Sequence, residues 1–171
     1  MTELHKRPWL VLAGLALGVT VTNGFARFAY GLIVPAMQSD LGWNYAQAGW
    51  LNTANALGYI AGAVLTMLLI GRYSAASLFS FGLITTNLAL LSTGLIPDLW
   101  WQTLWRILAG FFGAMSFSTA GVLAAGLFAN DPRRNALAIA IVFGTGGGLA
   151  IVVSGASLPL FLEDFGADHW P

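Results

Sequence analysis

The sequence has 171 residues, of which 57% are hydrophobic and 8% are charged, and seven basic residues balance seven acidic ones. A soluble domain carries about 25% charged residues, so a chain this poor in charge has too little polar surface to face water and is expected to face lipid. The zero net charge argues against nucleic acid as a partner, because nucleic-acid binding needs a concentrated basic face. The lack of cysteine excludes disulfides and thiol chemistry, and the two histidines, His5 and His169, lie too far apart in the sequence to suggest a metal site.

Five stretches are long and apolar enough to cross a bilayer as helices, which takes about 20 residues each. In chain order they cover residues 9–37, 46–70, 74–96, 100–128 and 135–162. Short breaks with turn-forming or charged residues separate them, at 38–42, 71–72, 97–98 and 130–134. Because such short connections force consecutive helices to be antiparallel neighbours, the predicted fold is an all-α membrane protein with about five transmembrane helices.

Most charged residues outside the predicted spans separate by sign between the two ends of the bundle, with Glu3 and Asp131 as the exceptions. The basic ones share one end: Lys6, Arg7, Arg72, Arg133 and Arg134. The acidic ones at the other end are Asp40, Asp98, Glu163, Asp164 and Asp168. Because cytoplasmic loops carry the excess of Lys and Arg, the N-terminus is predicted to be cytoplasmic. The tail 161–171 is then an external loop, with Trp170 at the membrane interface.

Two arginines lie inside apolar spans, Arg27 in the first and Arg106 in the fourth, and no acidic residue lies within any of the five predicted spans. An arginine at the bilayer centre costs at least about 2.5–3.5 kcal/mol on insertion scales, so each is a functional candidate. The alternative is that each side chain extends to the membrane interface or bonds to helix-end carbonyls. Arg27 lies deeper in its span than Arg106, which makes this alternative weaker for Arg27.

Helical spacing places the polar residues of three spans in one stripe each. The stripes contain Thr20, Asn23, Arg27 and Tyr30 in the first span, Asn52, Asn55, Tyr59 and Thr66 in the second, and Gln102, Arg106, Gly110 and Gly113 in the fourth. Polar side chains in a bilayer turn inward or meet water, so the stripes predict a shared hydrated interior. Interhelical hydrogen bonding without transport, worth about 0.6–1.7 kcal/mol per bond, is the alternative.

Spaced glycines predict close helix packing, because small residues let two backbones approach each other. The predicted packing positions are Gly58, Gly62, Gly110, Gly113, Gly144 and Gly148. The glycine-rich run at 144–148 is not expected to bind phosphate, since neither a preceding strand nor a nearby Lys or Arg accompanies it. The arginine–glycine spacing at 27 and 31 recurs at 106 and 110, as an inverted three-helix repeat would produce.

Three segments resemble a known family. Residues 23–37 (NGFARFAYGLIVPAM) resemble the first helix of a major facilitator superfamily (MFS) protein, and together with residues 43–59 (WNYAQAGWLNTANALGY) they most resemble the YbfB/YjiJ-like branch. Residues 106–114 (RILAGFFGA) are similar to the superfamily's fourth-helix motif, an arginine followed by spaced glycines. The sequence departs from the superfamily at 71–74, which lack the usual loop aspartate, and after Gly148, where the antiporter motif would have a proline.

The resemblance implies a fold of twelve helices in two six-helix bundles, which rock against each other around a site near the bilayer midplane. This chain would supply about five helices of the N-terminal bundle, and the missing C-terminal bundle would be its partner. The resemblance further implies a multi-pass protein of the bacterial cytoplasmic (inner) membrane. A complete five-helix protein is the alternative.

We therefore expect a non-enzymatic secondary transporter of a small anionic or polar solute, embedded in the lipid bilayer and without a cofactor. The candidate solute-binding residues are Arg27, Arg106, Asn23, Tyr30, Asn52, Asn55 and Tyr59. The arginines would attract the charge of the solute, and the amide and phenol groups would orient it by hydrogen bonds. A truncated, non-transporting membrane protein or scaffold is the alternative. An intramembrane enzyme is disfavoured, because the spans offer no metal-ligand cluster and no His or Lys partner for a serine.

Overall fold

The protein, in a computed structural model that describes residues 7–165 and the side chains of residues 7–160, has five helices long and apolar enough to cross a membrane. They are α1 (Pro8–Leu41), α2 (Tyr45–Leu69), α3 (Ala75–Thr93), α4 (Leu99–Leu127) and α5 (Pro132–Leu160), and the helical backbone of α5 continues to Phe165. This confirms the predicted all-α membrane fold. The predictions for Lys6, Asp168 and Trp170 lie outside the described residues, as do those for the side chains of Glu163 and Asp164.

The helix starts follow from local sequence. Asn44 precedes α2 and forms a capping box with Gln47, in which each side chain accepts a hydrogen bond from the other residue's backbone N–H at 2.9 Å. Asp98 caps α4 by accepting from two backbone N–H groups, and Asp131 does the same for α5. Because Asp131 caps the helix, α5 begins at Pro132, three residues before the predicted start.

The first connection differs from its prediction. Residues 38–41 were expected to form a turn, but α1 continues through them to Leu41. It stops at Gly42, which has a left-handed φ of 64° that glycine adopts without strain. Asp40 therefore lies in the last turn of α1 and is exposed.

Two stretches of π-helix interrupt the spans, Thr20–Ala29 within α1 and Ile141–Thr145 within α5. The later part of α5 packs along the π-helical stretch of α1. Gly24 makes this approach possible, because a Cβ at Gly24 would overlap the side chain of Ala150. Such wide turns are rare, and they occur frequently at functional sites.

Helix α4 is the centre of the described bundle, since α2 and α3 pack along it and α1 crosses it. The carbonyl oxygens of Ile107 and Phe111 lie where Cβ atoms of Gly58 and Gly62 would be. On the α4 side, Gly110 meets a backbone carbonyl of α2 in the same way. The two backbones touch at these glycines, which fixes how α2 and α4 present their side chains.

Within the described residues, the close contact of α5 lies at Gly146, where a Cβ would come within 2.7 Å of the Val19 side chain. At the predicted packing positions Gly144 and Gly148, no described atom beyond the glycine's own helical turn lies within 4 Å of the Cβ position. The wider π-helical turn before Gly146 rotates the following residues, which changes the face that α5 presents to α1. Gly113 does lie close to α1, with the Thr22 carbonyl 2.8 Å from its Cβ position.

Candidate functional site

Arg106 is enclosed between α4 and α1, with 1% of its surface exposed. Its guanidinium lies over the ring of Tyr30, 3.7 Å from the ring centroid. Nη1 donates a hydrogen bond to the backbone carbonyl of Ala26 at 2.8 Å. A cation removed from water in this way is stabilised by the ring face and by the carbonyl dipole. Among the described residues, however, its Nε and Nη2 have no hydrogen-bond partner.

The polar stripe of α4 is therefore buried among the neighbouring helices. Gln102 is also 1% exposed, and its Nε2 donates to the backbone carbonyls of Thr93 and Ile96. Asn55 of α2 is 3% exposed and donates from Nδ2 to the backbone carbonyl of Arg106 at 3.0 Å. For these residues the structure has the interhelical hydrogen bonding that the sequence left open as the alternative.

Arg27 occupies a different environment, although it follows Ala26 directly. Its side chain is exposed, and its guanidinium lies over the ring of Tyr59 in α2, 4.6 Å from the centroid. Asn52 precedes Tyr59 by two helical turns, so it lies on the same side of α2, and it is exposed. We call the surface around Arg27, Tyr59 and Asn52 the open face.

The polar stripe of α1 is split between these two environments. Asn23, Arg27 and Tyr30 would share one side of a regular α-helix, but Tyr30 is 8% exposed beneath Arg106 while Arg27 is on the open face. Asn23 is half-buried, and its Oδ1 has no partner among the described residues. The π-helical turns of 20–29 change the angle between successive residues, which removes the regular spacing on which the prediction depended.

Tyr30 also lines a pocket between the helices. A pocket of about 200 Å³ lies between α1, α3 and α4, and both Tyr30 and Gln102 line it. The hydroxyl of Tyr30 and Oε1 of Gln102 are buried without a hydrogen-bond partner among the described residues. These two groups therefore retain hydrogen-bonding capacity.

A row of three rings continues from the open face, and sequence reasoning missed two of them. The Tyr59 ring meets Phe117 of α4 edge to face at 6.3 Å between centroids, and Phe117 meets Phe143 of α5 at 4.6 Å. We call Tyr59, Phe117 and Phe143 the aromatic row. Phe117 continues the α4 stripe, because it lies four residues after Gly113. The spacing of Phe117 is a signal that the sequence contains, but a stripe defined by polar residues and glycine does not include it.

Along its own helix, Arg27 has no acidic residue nearby. Asp40 is the single acidic residue between Glu3 and Asp98 in the sequence. It follows Arg27 by thirteen residues of the same helix, about 20 Å along the axis at 1.5 Å per residue. Within the described part of the chain, no group of His, Asp or Glu could hold a metal ion. The site can thus offer positive charge, hydrogen-bond donors and ring faces.

Five membrane-length helices in the described part of the chain, two of them with an arginine inside the span, define a polytopic membrane protein. The chain belongs to a family of the major facilitator superfamily, since a family model described as "Uncharacterised MFS-type transporter YbfB" matches residues 19–171. This confirms the resemblance found in the sequence, and it identifies the general function as transmembrane transport. No curated protein and no solved structure matches the chain.

Proposed function

We propose that the chain forms the N-terminal part of a secondary transporter that moves a small anionic solute, and that the solute's charge binds at Arg27. The observation that carries this proposal is an exposed guanidinium at bilayer depth with the nearest acidic residue of its helix about 20 Å away. A cation in hydrocarbon is costly without a counter-charge, and a bound anion supplies one. The neutral amide of Asn52 then orients the solute by hydrogen bonds.

Arg106 has a supporting role in this proposal. With 1% exposure it does not contact solute in this conformation. It ties α4 to α1 through the Ala26 carbonyl, one residue before Arg27, and so holds the segment that presents Arg27.

The proposed location is the bacterial cytoplasmic membrane, with the N-terminus in the cytoplasm. Arg7, Arg72 and Arg133 are exposed at the end of the bundle where α1 starts and α2 ends. Asp98 caps the start of α4 at the opposite end. This distribution of charge follows the excess of basic residues in cytoplasmic loops.

The test is a flux measurement on the complete transporter in membrane vesicles. The vesicles are loaded with a mixture of small organic acids and matched neutral compounds, and the loss of each is followed by mass spectrometry. We expect one or a few acids to cross only when the protein is present. Arg27→Gln should lower that flux at least about 10-fold, because one missing charge-assisted bond is worth more than 1.4 kcal/mol.

Arg72→Gln is the matched control, since it removes the same charge from an exposed turn outside the spans. It should retain the flux. Equal flux in the Arg27→Gln variant and the unaltered protein would remove Arg27 from the site, and flux of neutral compounds alone would contradict an anionic solute.

A further inference from the structure

The aromatic row lies directly beside the cation of the open face. The Arg27 guanidinium contacts the Tyr59 ring, and the rings of Phe117 and Phe143 follow in sequence across α4 to α5. The row thus connects α2, α4 and α5, and its first ring contacts the charged group. Both ends of this arrangement involve π-helical residues. Arg27, which contacts the first ring, lies in Thr20–Ala29, and the last ring, Phe143, lies in Ile141–Thr145.

The rings of the aromatic row are half-buried. Tyr59, Phe117 and Phe143 each keep part of their surface accessible. Gly144 and Gly148, on the same helix as Phe143, are exposed, and no described atom beyond their own helical turns lies within 4 Å of their Cβ positions. The accessible part of the three rings is the surface that remains for a ligand to cover.

The chemistry of this surface matches a ligand with two unlike ends. Ligand sites are lined mostly by apolar and aromatic side chains, and a few polar groups fix the orientation. A small hydrophilic anion such as a halide would gain nothing from three partly exposed rings. A ligand with an apolar body would remove these rings from water and gain free energy in proportion to the buried area. Aromatic faces stack well with flat rings in particular.

We propose that the solute is an amphipathic organic anion, whose acidic group binds at Arg27 and whose ring or compact hydrocarbon body lies along Tyr59, Phe117 and Phe143. This inference rests on the proposed function, because it places the charge of the solute at the same arginine. It adds a substrate class, since it distinguishes aromatic or apolar acids from small hydrophilic ones.

Three probes of matched structure separate the two parts of this proposal. Benzoate has both the charge and the ring, acetate has the charge without the ring, and benzamide has the ring without the charge. Equilibrium binding to the purified complete transporter in detergent is measured with radiolabelled benzoate and competition by the other two. Benzoate is expected to bind at least about 10-fold more tightly than acetate, since burying a phenyl group is worth that much or more. The affinity for benzoate is expected to exceed that for benzamide, which lacks the charge, by a similar factor.

Variants test which residues cause these differences in affinity. Phe117→Ala should lower the affinity for benzoate about 10-fold towards that of acetate and leave acetate binding unchanged. Phe143→Ala tests the far end of the row independently, in case one variant fails to fold. Phe112→Ala is the control on the same helix, because Phe112 packs edge to face with Phe81 of α3 at 5.5 Å, away from the row. It should bind all three probes as the unaltered chain does.

The outcomes separate this inference from the proposed function. If benzoate and acetate compete equally while Arg27→Gln weakens both, the apolar body is overturned and the anion site stands. If benzoate and benzamide bind equally, with or without Arg27, the anion site itself is overturned. If Phe112→Ala weakens benzoate as much as Phe117→Ala does, the ring does not lie on the aromatic row. Lack of saturable binding of any probe overturns both.

Discussion

The two intramembrane arginines differ in what surrounds them, and this difference divides their roles. Arg106 is buried, stacks on Tyr30 and donates to a backbone carbonyl, so its charge is used within the protein. Arg27 is exposed and contacts a ring that is itself partly exposed, so its charge remains available. A contact with a desolvated ring face is worth about 2 kcal/mol or more, which is comparable with the cost of placing an arginine there.

Substitutions of Tyr30 test the structural role of Arg106. Tyr30→Leu removes the ring face from a buried cation and should lower the free energy of unfolding by about 2 kcal/mol. Tyr30→Phe keeps the ring and should have almost no effect, because the hydroxyl has no hydrogen-bond partner among the described residues. Unfolding by titration with a denaturing detergent measures both. Equal losses for the two variants would show that the hydroxyl, and not the ring, supports Arg106.

At the scale of helices, close backbone contact at glycines determines the arrangement of the bundle. Helix α2 touches α4 at Gly58 and Gly62, and α1 touches α5 at Gly24 and Gly146. In a bilayer the apolar side chains gain little from leaving lipid, so this kind of tight packing is a principal source of helix association.

Alanine substitution at Gly58 tests this packing. The added Cβ would meet the backbone of Ile107, which cannot move aside as a flexible side chain can. Gly58→Ala should therefore lower the free energy of unfolding by about 1–3 kcal/mol, the usual cost of overpacking. Gly49→Ala on the same helix is the control, because no described atom beyond its own helical turn lies within 4 Å of that Cβ position. Alanine has the higher helix propensity, so Gly49→Ala should not lower the stability. Comparable losses in both variants would mean that the contact with Ile107 is not the cause of the loss at Gly58.

The number of helices and most of their ends follow from the sequence, because apolar length and capping residues are local signals. The seating of α2 on α4 is likewise encoded in the spacing of Gly58 and Gly62. The π-helical stretches could not be predicted, because hydropathy carries no information on whether a backbone N–H bonds four or five residues back. For this reason the prediction placed Arg27 and Tyr30 on one face and chose Gly144 over Gly146.

At the scale of the molecule, charge and apolar surface meet on one side of the bundle. The open face presents Arg27, and the aromatic row extends from it across α4 to α5. The pairing of Arg27 with Tyr59 could not be predicted from sequence, because it depends on the relative rotation of α1 and α2. The presence of a cation within an apolar span could be predicted from sequence. It is the feature on which the proposed transport of an anion depends.

The most direct test asks whether the open face is wet and electropositive. The chain has no cysteine, so Asn52→Cys provides a single thiol on that face. Its rates of modification by anionic and cationic water-soluble methanethiosulfonates are compared, with Ile84→Cys on the exposed side of α3 as the lipid-facing control. We predict that Cys at position 52 reacts. The ratio of its reaction rate with the anionic reagent to that with the cationic reagent should be several-fold higher than the same ratio for a free thiol in solution. Arg27→Gln should remove this preference for the anionic reagent. A thiol at position 52 that is as unreactive as the one at position 84, or that shows no Arg27-dependent preference, would contradict an anion site on the open face.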